Sequence, residues 1–194
     1  MTRSYTLGKR AEQQAQTRRR IVEAAVALHS SVGPAATSLS MVAERAGVQR
    51  HTLYAHFPDE RSLLMACSGH TMEADPMPDA ASWRAIASRG ERLAAGLTAI
   101  YAWYERNAAL MACVLRDAEH HAPTREITTL RFAPLVAAWH EVLGMKLRAK
   151  QRAMLHLALG FCAWRALVPE GGLKPAAAVA LMVQSIERAD EVSG

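Results

Sequence analysis

The stretch from Thr37 to Leu64, T-S-L-S-M-V-A-E-R-A-G-V-Q-R-H-T-L-Y-A-H-F-P-D-E-R-S-L-L, gathers the side chains with the clearest chemical purpose. Arg50, His51, Thr52 and Tyr54 follow one another closely, and His56 comes two residues later. Arginine presents a planar pair of donors that matches two acceptors on guanine, while hydroxyls and imidazole suit phosphate or thymine. Such groups reach base edges only from an element slim enough to enter the major groove, and the spacing supplies one. Ser38 is placed to cap a short helix that runs to Ala46, and Gly47 closes it. A second short helix is expected from about Arg50 to His56, ending before Pro58, and Asp59 caps the next one. Leu39, Val42, Ala43, Val48, Leu53 and Phe57 are expected to face inward and lock the pair. The second helix would then point Arg50, His51, Thr52 and Tyr54 outward.

The charge distribution agrees with a polyanionic partner. The chain carries a net charge of +5. Residues 1–20 hold Arg3, Lys9, Arg10, Arg18, Arg19 and Arg20 against Glu12 alone, and so account for all of it. The other residues carry 17 basic and 17 acidic side chains. A basic arm on a neutral body is the electrostatic footprint of nucleic-acid contact, and equally that of a solvated tail.

At 194 residues the chain suits one or two small domains. Its 38 alanines, with few β-branched or aromatic residues, favour an all-α fold of about nine helices and no strand. The first helix is expected over Arg18 to Ser31, with a stripe of Ile21, Ala24, Ala25 and Leu28. Asp75-Pro76-Met77-Pro78-Asp79 interrupts the pattern. A long helix follows, with Ile86, Gly90, Leu93, Leu97, Tyr101 and Tyr104 on one face, and Asn107 opens a shorter one. Another runs from Pro123 to Gly144, with a kink or restart at Pro134. The last two are expected at about Lys150 to Leu167 and Pro175 to Ala189. No apolar run is long enough to span a bilayer, and the first residues lack a signal-peptide core. Cys67, Cys113 and Cys162 are widely spaced, so a reducing cytoplasm is the expected setting.

Three words of the sequence resemble the TetR family of transcriptional repressors: I-V-E-A-A-V-A-L at 21–28, T-S-L-S-M-V-A-E-R-A-G-V at 37–48 and T-L-Y-A-H-F-P at 52–58. The resemblance implies a homodimer that binds a pseudo-palindromic, double-stranded operator and is released by a small-molecule inducer. It implies a basic arm over 1–17, a helix-turn-helix domain over 18–62, and a ligand-binding and dimerisation domain over 63–194. Gln49, Arg50, His51 and Thr52 fall where the family reads bases or the groove edge, and Tyr54 and His56 where it grips phosphates. Thr37 and Ser38 fall where the second helix approaches the DNA backbone. The chain departs from the family at three places. Glu60 stands where lysine usually contacts phosphate, leaving Arg61 as its substitute. Gln49 replaces a serine cap, and His29 replaces an aromatic core residue, as a hydrogen-bonded substitute or a pH sensor.

For residues 65–194 the resemblance is architectural only. Leu93, Leu97, Tyr101 and Tyr104 line one helix face, and Trp103, Met111, Val114, Trp139 and Phe161 join them as candidate pocket residues for a largely apolar ligand. The competing reading is plain core. His120, His121, His140 and Arg116 are further polar candidates. Met154, Leu157, Ala158, Phe161 and Arg165, with Val179, Met182, Val183 and Ile186, form two stripes read as the dimer interface. Packing within one monomer is the alternative. Adjacent histidines do not share a helix face, so His120 and His121 do not make a metal site, although a metal- or pH-responsive regulator stays a minority reading. No cofactor is expected. An enzyme does poorly, since glycine-rich phosphate loops, G-x-S-x-G and suggestively paired carboxylates are missing from the sequence.

Overall fold

The computed structural model describes residues 2–191 (side chains from Gly8 onward), and among these every regular element is helical. The chain forms two compact units. The first comprises the residues up to Pro76 together with Ala109–Leu130. The second comprises Met77–Ala108 and the residues from Arg131 onward. These units are drawn differently from the expected division at residue 62.

In the first unit, α1 spans Thr2–Ser31, α2 Leu39–Ala46, α3 Arg50–His56 and α4 Glu60–Ala74. The expected separate arm over 1–17 is therefore helical from Thr2 and continuous with α1. Between Gly8 and Gly33 there is no glycine or proline, and Ala11, Glu12, Gln13, Gln14 and Ala15 are good helix formers. Ile21, Ala24, Ala25 and Leu28 recur at helical spacing and bury that face of α1 against Val42, Ala43, Leu53, Phe57, Leu63 and Cys67. The ends of α2 and α4 are marked by local chemistry. Ser38 Oγ accepts from the Met41 amide at 3.2 Å, and Asp59 Oδ1 accepts from the Ser62 amide at 2.7 Å.

The second unit holds a 3-10 turn at Ala80–Trp83 and the start of α5, Arg89–Ala118, which ends in the first unit. The second half of α6, Ala122–Leu143, follows, then α7, Ala149–Leu159, α8, Phe161–Arg165, a π-turn at Ala166–Glu170 and α9, Pro175–Arg188. Leu93, Leu97 and Ile100 of α5 and Trp139, Val142 and Leu143 of α6 are buried in its core. Gly96 lets α5 and α6 approach, since a Cβ there would lie 2.6 Å from the Leu143 side chain.

Four boundaries differ from expectation. Ile86 lies ahead of α5 rather than on it. No break occurs at Asn107, because its side-chain amide donates to the Trp103 carbonyl at 3.0 Å within the helix. Pro134 sits inside a continuous α6. The carbonyl it deprives of a partner belongs to Leu130, which is 52% exposed and can be solvated. The helix expected over 150–167 breaks at Gly160, whose ψ of 138° is extended backbone.

Candidate nucleic-acid interface

The recognition element is built on the turn between α2 and α3. Gly47 adopts φ 62° and ψ 41°, the left-handed conformation that glycine takes without a Cβ penalty. The Gly47 and Val48 amides both close onto the end of α2, Val48 reaching the Ala43 carbonyl at 3.0 Å. The chain then enters α3 at Gln49, which makes no side-chain cap bond, as its substitution for serine implies.

Within α3 only Leu53 is buried, and Phe57 just beyond is fully buried as well. That pairing fixes the rotation of the helix. Arg50, His51 and Tyr54 are consequently exposed, with Tyr54 at 43%, while Thr52 and His56 are half-buried. A large phenol left in water on a seven-residue helix is surface rather than core, and it is available for contact. The sequence did not reveal what holds α3 from behind. Arg18 of α1 donates to the His56 carbonyl at 3.1 Å, and its guanidinium lies 4.2 Å from the centre of the Phe57 ring. Arg18, counted with the basic arm, is thus a buttress of the recognition helix. Arg19 pairs with Glu23 at 2.7 Å. Lys9, Arg10 and Arg20 are exposed.

Other expected contacts are differently placed. The Thr37 hydroxyl donates to the Gly33 carbonyl at 2.7 Å, and the Ser38 hydroxyl caps α2. Both are engaged in holding the turn. Arg61, the expected substitute for a phosphate-binding lysine, grips Glu126 at 2.7 Å instead. Its neighbour Glu60 lies 3.5 Å from His121, whose other ring nitrogen meets Thr124 Oγ1 at 2.8 Å. His120 is exposed, and among the described residues no three His, Cys, Asp or Glu side chains cluster as a metal site. His140 and His156 face each other with ring nitrogens 3.3 Å apart. His29 is buried in the first unit. Loss of hydration pushes its imidazole down to about 4, against a smaller upward pull from the Asp117 charge.

The candidate pocket residues do not fall in one body. Leu93, Leu97, Tyr101, Trp103, Tyr104, Trp139 and Phe161 are buried in the second unit, whereas Met111 and Val114 belong to the first. The polar atoms of three of these residues are already bonded within the chain. Tyr101 donates to the Ala158 carbonyl at 3.0 Å, Tyr104 to the Leu159 carbonyl at 2.7 Å, and the Trp139 indole to the Pro78 carbonyl at 2.8 Å. Burial pushes the Tyr101 phenol up to about 12, so it stays protonated as that donor. Tyr104 packs edge-on against Trp103 and Phe161, with ring centres 5.7 and 5.4 Å away. Trp164, missed in the sequence, completes this cluster with a buried indole nitrogen that has no partner among the described residues.

The two stripes read as a dimer interface are partly covered within the chain itself. Ala158, Phe161, Val179, Met182 and Ile186 are buried within the second unit. There α7 and α9 pack together, and Gln151 donates to the Glu187 carbonyl at 3.2 Å. Met154 and Val183 are half-buried, and Arg165 is exposed and pairs with Glu170 at 3.1 Å. Leu157 alone of the apolar residues named remains strongly exposed, at 56%. Leu181 on α9 is also exposed.

Residues 21–67 match the model of bacterial regulatory proteins of the tetR family. The HTH-type transcriptional regulator SrpR of Pseudomonas putida is 33% identical over 84 residues, 40% of this chain. That match spans only 39% of the length of SrpR. Solved structures extend the likeness in fold to nearly the whole chain. A TetR-family transcriptional regulator from Mesorhizobium loti superposes with a TM-score of 0.65 at 18% identity, covering 93% of this chain and 98% of that one. The repressor FadR of Thermus thermophilus, solved with lauroyl-CoA, gives 0.57 at 20% identity and covers 91% and 96%. These relatives are transcriptional regulators rather than enzymes. No helix among the described residues is long and apolar enough to cross a membrane.

Proposed function

We propose that this chain is a transcriptional regulator of the TetR family, whose model residues 21–67 match, and that it is a homodimeric repressor which leaves a pseudo-palindromic operator when a small, largely apolar ligand binds its C-terminal domain. The observation that carries the DNA-binding part is the orientation of α3. Leu53 and Phe57 turn inward, so Arg50, His51 and Tyr54 are offered together on a short helix that fits the major groove. Release is a population shift. The ligand prefers a conformation in which two recognition helices no longer match successive major grooves, and the operator complex weakens by that difference in affinity. Thermus thermophilus FadR, of similar fold, was solved with lauroyl-CoA, a ligand with an apolar acyl chain. In this chain the buried aromatic and aliphatic side chains of the second unit are the candidate lining for an apolar ligand. On α7 and α9, Leu157 and Leu181 are exposed apolar residues that a partner subunit could cover.

Arg50→Ala tests the reading. On the duplex that the wild-type chain selects from a random pool, the variant should lose about 1–3 kcal/mol and tolerate substitution at one base pair. Equal losses on selected and random DNA would instead make Arg50 a phosphate contact.

Lys9 and Arg10 carry charge on the exposed start of α1. If both neutralise phosphates, changing them to glutamine should reduce the slope of log affinity against log salt by about 1.8, since each contact contributes roughly 0.9. An unchanged slope would remove this end of α1 from the interface.

A further inference from the structure

The turn from α1 into α2 is held by two consecutive residues of α5. Asp117, in the last turn of that helix, is 1% exposed. Its Oδ2 accepts from the Ala35 amide at 2.9 Å, and its Oδ1 accepts from Arg116 Nε at 2.8 Å. Arg116 in turn donates from Nη2 to the Val32 carbonyl at 2.9 Å. One N–H and one C=O of the same turn are thus gripped by an ion pair. One helical turn earlier on α5, Cys113 Sγ approaches the Ser30 carbonyl at 3.7 Å.

The turn is shaped to receive this pair. Gly33 lies between the two gripped residues with φ 98°, and a Cβ there would overlap both the Arg116 guanidinium and the Asp117 carboxylate. Thr37 donates to the Gly33 carbonyl, and its amide bonds the Pro34 carbonyl at 3.1 Å, so residues 33–37 close on themselves as one piece. Burial alone pushes the Asp117 carboxyl up. The hydrogen bonds from Arg116 and Ala35 and the Arg116 charge outweigh it and hold the group below the usual carboxylate range.

A buried carboxylate is a costly way to fill space, because an apolar side chain of similar volume packs without losing hydration. What the ion pair provides instead is direction, with each bond fixing one backbone atom of the turn. We propose that Asp117 and Arg116 are positioning residues for DNA recognition, tying the turn that leads into α2 to α5. Because α5 begins in the second unit, this clamp makes the placement of the helix-turn-helix answer to the position of α5. The proposal rests on the regulator reading above.

Asp117→Asn and Arg116→Gln, made in the full chain, provide the test. The readout is the ratio of affinity for the duplex selected by the wild type to affinity for a random duplex of equal length, at one salt concentration. Charge alone predicts that removing the Asp117 carboxylate tightens binding to every sequence, and that removing the Arg116 charge weakens binding to every sequence. Neither moves the ratio. The clamp predicts a ratio about tenfold lower in both variants, with Ala35 amide exchange accelerated in Asp117→Asn. A ratio within twofold of the wild type overturns the proposal. This holds also when a variant is partly unfolded, since unfolding lowers both affinities together. A wild type with no preference for any sequence would overturn the regulator reading and this proposal with it. A wild-type preference with an unmoved ratio overturns the clamp alone.

Discussion

Replacing Phe57 by alanine should cost about 3–5 kcal/mol of stability, the largest single effect expected on the DNA-binding unit. The ring is fully buried among α1, α3 and the start of α4, where the core also draws on Ile21, Leu53 and Leu63. Its removal forfeits the transfer of an aromatic side chain from water and leaves a cavity that short, capped helices cannot easily close. Arg18 loses its platform at the same time, because its guanidinium sits over that ring while donating to the last carbonyl of α3. Against a total stability of about 5–15 kcal/mol, such a loss leaves the unit close to unfolding. Urea denaturation of the full chain would measure it, as a shift in midpoint. Arg18→Ala should cost about 1 kcal/mol by comparison, the value of one cation–π contact and a surface hydrogen bond. A Phe57→Ala loss below about 1 kcal/mol would mean that α3 is held by something other than this ring.

Acidification should destabilise the first unit through His29. The imidazole is 5% exposed, and burial holds its folded-state value at about 4, while the unfolded chain titrates near 6.5. Between those values the unfolded state binds a proton that the folded state refuses. Stability therefore falls as pH drops from about 6.5 to 4, by on the order of 3 kcal/mol in all, and is flat in this term above pH 7. Asp117 acts lower on the scale. Its carboxyl is held below the usual range, so its contribution is present above about pH 4 and is lost only beneath that. His29→Phe removes the first titration and keeps a ring at the position. Its stability relative to the wild type should rise steadily as pH is lowered from 6.5 to 4. A difference that does not change across that window would show that His29 is hydrated in the folded state.

The helix-turn-helix was legible in the sequence because its boundaries are set by local chemistry. Ser38, Gly47 and Asp59 each satisfy backbone groups within three or four residues, so these boundaries do not depend on the rest of the chain. The inward and outward faces of α3 followed from the same register. Failures came where tertiary context decides. Asn107 is a weak helix former that α5 simply runs through. Pro134 is tolerated where the carbonyl it deprives of a partner belongs to the exposed Leu130, open to water. The α9 stripe of Val179, Met182 and Ile186 has the same pattern whether it packs on α7 of its own unit or on another chain, and periodicity cannot distinguish the two. The bonds from Tyr101 and Tyr104 to the carbonyls of Ala158 and Leu159 join residues more than fifty apart, so the sequence could not show that these hydroxyls are already engaged. The Arg116–Asp117 clamp was illegible because its partners lie more than eighty residues away.

Selection of bound duplexes from a random-sequence pool by the full chain tests most directly the claim that α3 is a recognition helix. The account predicts enrichment of an inverted repeat whose half-sites lie about one helical turn apart, 34–36 Å, as two recognition helices in a symmetric dimer require. It further predicts that Arg50→Ala weakens the enrichment and relaxes it at one base pair of each half-site. Recovery of the pool unchanged, with binding that depends on salt and not on sequence, would contradict it.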